Sequence, residues 1–249
     1  MTLVRYVLAA ALAVATLAPI PGHAQQGFTP QQRAAIVEIL REALKSDPTI
    51  LEEAIVALQA RDQAREREAA RAALAANRDA LVNDATLPFK GAARPTATIV
   101  EFFDYRCPFC KRMNPIIGDL VRSDRALRVV LVDIPILGPA SVTAARAALA
   151  AQRQGKYPEM HDALMRLRGE PTEAAMMQVA SELGLDPERL RRDMADPAIG
   201  QRIDANLRLA QALGIQGTPA YVIGNDILPG ATGAEQLREA IARARQPAR

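Results

Sequence analysis

The sequence predicts an α/β protein: a sheet domain with a block of helices inserted in its middle, preceded by an N-terminal helical stalk. Three observations carry this reading. Residues 97–102 and 128–133 are short apolar runs of strand type, the second unbroken enough to suit burial on both faces. Between them and a further strand pattern at 220–223, about residues 139–214 show only helix start and stop signals. Residues 28–82 read as helical throughout.

Composition narrows the class. The 249 residues are 49% hydrophobic, enough for a substantial core, but only 4% aromatic, with no Trp. Ala and Leu carry much of the apolar content, which favours helices. The net charge of +3 comes from 31 basic and 28 acidic residues without a basic block, so nucleic-acid binding is not expected. Residues 1–24 read as a secretory leader. Arg5 supplies the positive start, residues 7–18 the apolar stretch, Pro19 and Pro21 break it, and Gly22-His23-Ala24 puts small residues at the cleavage position. The apolar stretch is short for a membrane anchor, which is the alternative reading. Cleavage after Ala24 would leave a chain starting near Gln25, with no Cys there for a lipid anchor. The expected location is therefore the periplasm, where disulfides form and persist.

The stalk reading covers residues 25–86. Ile36, Ile39, Leu40, Ala43 and Leu44 form one apolar stripe at helical spacing. Asp47-Pro48 restarts the helix, with Asp as cap and Pro in the first turn. The next pattern, residues 49–82, would span roughly 50 Å as one helix. Leu51, Ile55 and Leu58 share a face of its first part, while residues 61–77 are nearly all Ala, Arg, Glu, Asp and Gln. Either this is a solvated helix lying lightly on its own domain, or its apolar first part self-associates. So narrow a stripe cannot form a core alone, which favours association. Pro88, Gly91 and Pro95 mark residues 87–96 as a linker, and the second domain is expected over 97–249.

Within that domain a helix is expected over 109–123, with Pro115 inside it. After the 128–133 strand, Ser141 reads as the cap of a helix ending at Gly155. Further helices follow at 158–168 and 172–184, then after Asp186-Pro187 and Asp196-Pro197, the last ending at Gly214. Gly217-Thr218-Pro219 precedes a hairpin of 220–223 and 226–228 turning at Gly224-Asn225, and residues 233–244 close the chain with a helix.

The chain's two cysteines stand together as Cys107-Pro108-Phe109-Cys110, directly after one strand and at the start of a helix. That layout suits redox chemistry. At the helix N-terminus the Cys107 sulfur faces unpaired N–H groups and the positive end of the dipole, which stabilise a thiolate. Cys107 is therefore the candidate nucleophile, and Cys110, one turn on and buried, the resolving thiol. Pro108 suits the first helical turn, and neither Pro108 nor Phe109 adds a cation. A static disulfide or half a zinc site is the alternative, but a four-ligand zinc site needs more than two Cys and His161. His161 and the Met176-Met177 pair read as ordinary packed or surface residues, and Asp104, Arg106, Lys111 and Arg112 as solvated neighbours of the site. No metal site is expected.

The β-α-β, helices, β-β-α order resembles a thioredoxin fold with a central helical insertion. Together with residues 101–111 and Gly217-Thr218-Pro219, it resembles the DsbA-like thiol–disulfide oxidoreductases. The segments 134–139 and 213–219 are similar to the periplasmic branch of suppressor-of-copper-sensitivity C proteins, which carry an N-terminal helical extension. The resemblance implies a role for Glu101: an acid beneath the active site that moves a proton to or from Cys110. It implies that Thr218-Pro219 is a cis-proline loop facing Cys107, with a backbone free to pair with an extended substrate. Thr218, Pro219, Pro108 and Phe109 are the expected substrate contacts. No cofactor is implied beyond the redox-active Cys107–Cys110 pair. The implied partners are unfolded or misoxidised exported proteins and a membrane redox partner. Some members of the branch trimerise through the extension and act as isomerases, while others resemble dithiol oxidases. The rival class is a periplasmic Cu(I)-binding module, since two thiolates suit that soft metal.

Overall fold

The structure, a computed structural model, describes residues 28–246. The leader expected at residues 1–24 lies outside them. The chain divides into two compact units, one ending at Ala60 and the other starting at Arg61.

In the first unit, Thr29 opens α1 (Pro30–Ser46). The Thr29 hydroxyl accepts from the Gln32 N–H, and the Gln32 side chain accepts from the Thr29 N–H, so two otherwise orphaned donors are satisfied. The Asp47 carboxylate then accepts from the Thr49 N–H at 3.1 Å as the chain enters α2 (Thr49–Ala76). No residue of α1 is buried. Ile39, Leu40 and Leu51 are 67%, 56% and 53% exposed, so the apolar stripe seen in the sequence is left open.

The second unit holds the rest of α2, followed by α3 (Arg78–Val82), β1 (Phe89–Gly91), β2 (Ala97–Phe103), α4 (Pro108–Ser123) and β3 (Leu127–Asp133). The inserted helices are α5 (Pro139–Gln152), α6 (Tyr157–Arg166), α7 (Glu173–Glu182), α8 (Pro187–Met194) and α9 (Pro197–Ala212). The chain ends in β4 (Ala220–Ile223), β5 (Asp226–Pro229) and α10 (Ala234–Ala244). The five strands form one sheet in the order β1-β3-β2-β4-β5. Only β2 and β3 run parallel, joined through α4. This is the thioredoxin fold with its helical insertion.

Strand alternation sorts the core into two clusters. Ile99, Phe103, Val129, Leu131 and Tyr221 pack with residues of α4, α5 and α6. Val100, Phe102, Val130, Val132 and Val222 pack with Leu74, Leu81, Leu87, Ala210 and Leu213. Alanines let α5 sit at the centre of the insertion, where Ala144, Ala145, Ala147, Ala148, Ala150 and Ala151 are all buried. Caps at Thr172, Asp186 and Asp196 start α7, α8 and α9, the two aspartates as read from the sequence.

Several expectations differ from the structure. Residues 87–96, expected as a linker, contain β1, which pairs antiparallel with β3 and brings Lys90 opposite Val129. Gly91 is needed there because it has a φ of +90° and a Cβ would collide with the Leu127 carbonyl oxygen. The residue that looks like a loop signal is thus a close strand approach. The same burial draws Leu74 and Leu81 of the expected stalk into the second unit's core. Ser141 caps no helix, since α5 begins at Pro139 after Gly138, whose φ is +104°. The Ser141 hydroxyl is instead buried and donates to the Asp104 carboxylate at 2.7 Å.

Candidate active site

Strand β2 ends at Phe103, and a turn at residues 104–106 delivers Cys107 to the N-cap of α4. The turn is held from inside. Asp104, expected to be solvated, is buried instead, and its carboxylate accepts from the Arg106 N–H at 2.8 Å, the Leu137 N–H at 3.0 Å and the Ser141 hydroxyl. Asp104→Ala would leave these donors without their anion. Charged hydrogen bonds contribute about 1.5–3 kcal/mol each and do not sum simply, so the variant is expected to lose about 3 kcal/mol of stability. A lower urea midpoint at unchanged slope is the check, and an unshifted midpoint would refute it.

Pro108 takes the first helical position, where its missing N–H costs nothing. The Cys107 sulfur accepts from the Cys110 N–H at 3.4 Å, the contact of a helix cap. Its thiol donates to the Thr218 carbonyl oxygen at 3.2 Å. The Thr218–Pro219 peptide bond is cis. Cys107 keeps 3% exposure and Cys110 none, and both are reduced thiols here. Burial pushes the Cys110 thiol strongly up, and the Cys107 and Glu101 charges add to the effect. Phe109 is half exposed, with the Arg112 guanidinium 4.5 Å from its ring centre.

Glu101 lies in the middle of β2, between Leu131 of β3 and Tyr221 of β4. It is 1% exposed, so alternation turns it inward rather than to solvent. Burial raises its carboxyl to about 7, against the pull of the Lys90 charge. Lys90 itself pairs with Asp162 of α6 at 2.5 Å. The Tyr221 hydroxyl is buried beside Glu101, and burial together with the Glu101 charge pushes it up. The structure thus gathers the two thiols, Pro108, Phe109, Thr218 and Pro219 at one end of the sheet, with Glu101 in the adjoining strand.

Sequence reasoning missed a buried polar chain beside this site. Tyr157 donates to Asp133 at 2.6 Å, while the other carboxylate oxygen of Asp133 is buried without a partner among the described residues. Burial raises this carboxyl too, to about 7. The Tyr105 hydroxyl lies 3.5 Å from that of Tyr157 and 3.2 Å from His161 Nδ1. His161 Nε2 lies 3.2 Å from the Asn114 side-chain oxygen, and burial with the Lys90 charge keeps the ring neutral. His161 is thus a packed residue, and none of its hydrogen bonds reaches a cysteine. The one local hint of this chain was the acid ending the apolar run at 128–133.

The profile of the DSBA-like thioredoxin domain family matches residues 98–242, more than half of the chain. The chain belongs to that family. This DSBA-like chain also matches, over residues 32–65, the copper resistance protein ScsC N-terminal domain. A thioredoxin-like oxidoreductase from Silicibacter pomeroyi is 45% identical and superposes with a TM-score of 0.67, covering 69% of this chain and 99% of that one. Proteus mirabilis ScsC in a transitional conformation is 32% identical with a TM-score of 0.64, covering 88% of this chain and 97% of that one. The Na(+)/H(+) antiporter NhaA 3 of Salinispora tropica is 31% identical over 162 residues, which are 64% of this chain. The DSBA-like chain spans about a quarter of the length of such curated antiporter relatives. No helix among its described residues is long and apolar enough to cross a membrane.

Proposed function

We propose that the protein is an exported thiol–disulfide oxidoreductase that reshuffles wrong disulfides in other exported proteins. The observation that carries this is the Cys107 sulfur at the N-terminus of α4, 3.2 Å from the Thr218 carbonyl, with a fully buried second thiol one turn on. The Cys107 thiolate attacks a substrate disulfide. One substrate sulfur leaves as thiolate, and a mixed disulfide forms. A substrate thiolate that attacks this bond returns Cys107 and leaves a rearranged disulfide, with no net electron transfer. Alternatively, Cys110 gives its proton to the Glu101 carboxylate and attacks Cys107, releasing the reduced substrate and leaving the protein oxidised. A carboxyl near 7 can take or return that proton at neutral pH. Thr218, Pro219, Pro108 and Phe109 border the substrate.

The first unit is the assembly element in this reading. Its exposed stripe has no core of its own, and association buries it, with three copies as the ScsC resemblance implies. Several sites around one substrate raise the local thiol concentration and favour repeated exchange. Because Leu74 and Leu81 belong to the second unit's core, the informative truncation ends at Ala60. That form is expected to be a monomer that still reduces insulin disulfides but reactivates scrambled ribonuclease about a hundredfold more slowly, at the lower end of the avidity range. Light scattering and the two activity assays decide it. A monomeric intact chain would refute the assembly, and equal reactivation by both forms would refute its role. Faster oxidation of reduced ribonuclease than reshuffling of the scrambled form would make the protein an oxidase. Stoichiometric Cu(I) binding without disulfide reduction would make it a metal carrier.

A further inference from the structure

A groove of about 880 Å³ opens beside the Thr218–Pro219 loop. One side is the loop's own backbone, continued by Ile227 and Pro229 of the edge strand β5. The other side belongs to α2, whose second half presents Gln63, Glu66, Arg67 and Ala69 to it. These helix residues are exposed, and none buries into the core. The loop side has unused donors, because the amides of Gln216, Gly217 and Thr218 give no hydrogen bond to any group among the described residues. The groove is continuous with the reactive sulfur through Thr218, whose carbonyl lies 3.2 Å from Cys107 Sγ.

We propose that this face of α2 is the far wall of the channel holding the substrate polypeptide, and that it sets the preference for polypeptides over small disulfides. The proposal rests on the oxidoreductase reading for its substrate. The occupant is an extended, unfolded segment on either side of the cysteine joined to Cys107. A row of free main-chain donors suits another main chain better than a compact ligand, and an extended segment alternates its side chains between the two walls. Glu66 and Arg67 offset one another, and Ala69 and Ile227 add small apolar surface, so the channel attracts no single sign of charge. That combination suits many sequences, as an enzyme acting on misoxidised proteins requires.

Ala69→Phe places a ring in the channel from an exposed helix position and replaces no core residue. In the full chain, kcat/KM for insulin reduction is expected to fall about tenfold relative to that for a small aromatic disulfide, the scale on which one misfitted side chain changes selection. Gln63→Trp, from the same face, is expected to lower the same ratio. An unchanged ratio in both variants would overturn the proposal. A second measurement holds even if the chain reduces no disulfide. Anisotropy of a fluorescent insulin B-chain peptide, with its cysteines replaced by serine, is expected to show about tenfold weaker binding to Ala69→Phe than to the parent chain. Failure of both proteins to reduce disulfides, with this difference present, would refute the enzymatic reading and keep the channel. Equal peptide binding by both would refute the channel.

Discussion

Cys107→Ser is expected to reduce disulfide exchange to the uncatalysed rate, whereas Cys110→Ser is expected to accumulate mixed disulfides with substrates. The two thiols differ in place rather than kind. Cys107 stands at the N-cap of α4 against the Thr218 carbonyl, where an incoming chain meets it. Cys110 is fully buried, and that burial pushes its thiol strongly up, so it cannot be the sulfur that reacts first. Without Cys107 no substrate disulfide is attacked. Without Cys110 the mixed disulfide forms but lacks its internal resolving thiol and decays only through external thiols. Non-reducing gels of Cys110→Ser with insulin would show the trapped species, and alkylation rates against pH would identify the reactive sulfur. If Cys110 alkylates first below pH 7, the roles are reversed.

Glu101→Gln is expected to stabilise the protein at pH 8 while slowing resolution of the mixed disulfide about a hundredfold, at the lower end of what general acid–base groups contribute. Burial raises this carboxyl from 4.5 to about 7, so the folded state favours the protonated form. The associated stability is complete below the ordinary carboxyl range, near pH 4, and is lost as pH rises through about 7. Above that, the buried charge costs roughly 3 kcal/mol. Glutamine keeps the shape and carries no charge, so the variant should gain on the parent between pH 5 and 8 and match it near pH 4. Asp133, raised to about 7 by burial, remains in the variant and preserves about half of the pH dependence. Urea midpoints across this range test the sign. A parent chain equally stable at pH 5 and pH 8 would refute it. Activity separates the two effects, because a merely structural Glu101 would leave the lifetime of the mixed disulfide unchanged.

Local chemistry was legible along the chain wherever a few neighbouring residues decide the outcome. Asp186-Pro187 and Asp196-Pro197 start helices because a short acceptor and a fixed φ solve the problem of a helix N-terminus on the spot. Cys107 to Cys110 could be placed on a strand-to-helix turn for the same reason, and the hairpin at Gly224-Asn225 was legible in its turn residues. What stayed hidden depends on partners far along the chain. Gly91 looks like a loop signal until β3 lies against it. Ser141 looks like a cap until Asp104 accepts its hydroxyl. Tyr105, Tyr157, His161 and Asp133 sit in unrelated stretches, and only the packing of α6 against the sheet brings their polar groups together. The resemblance names Glu101 as an acid beneath the site, but its charge state belongs to the fold. Sequence names the carboxyl, and only the removal of water around it by β3, β4 and the covering helices moves its proton affinity to near neutral pH.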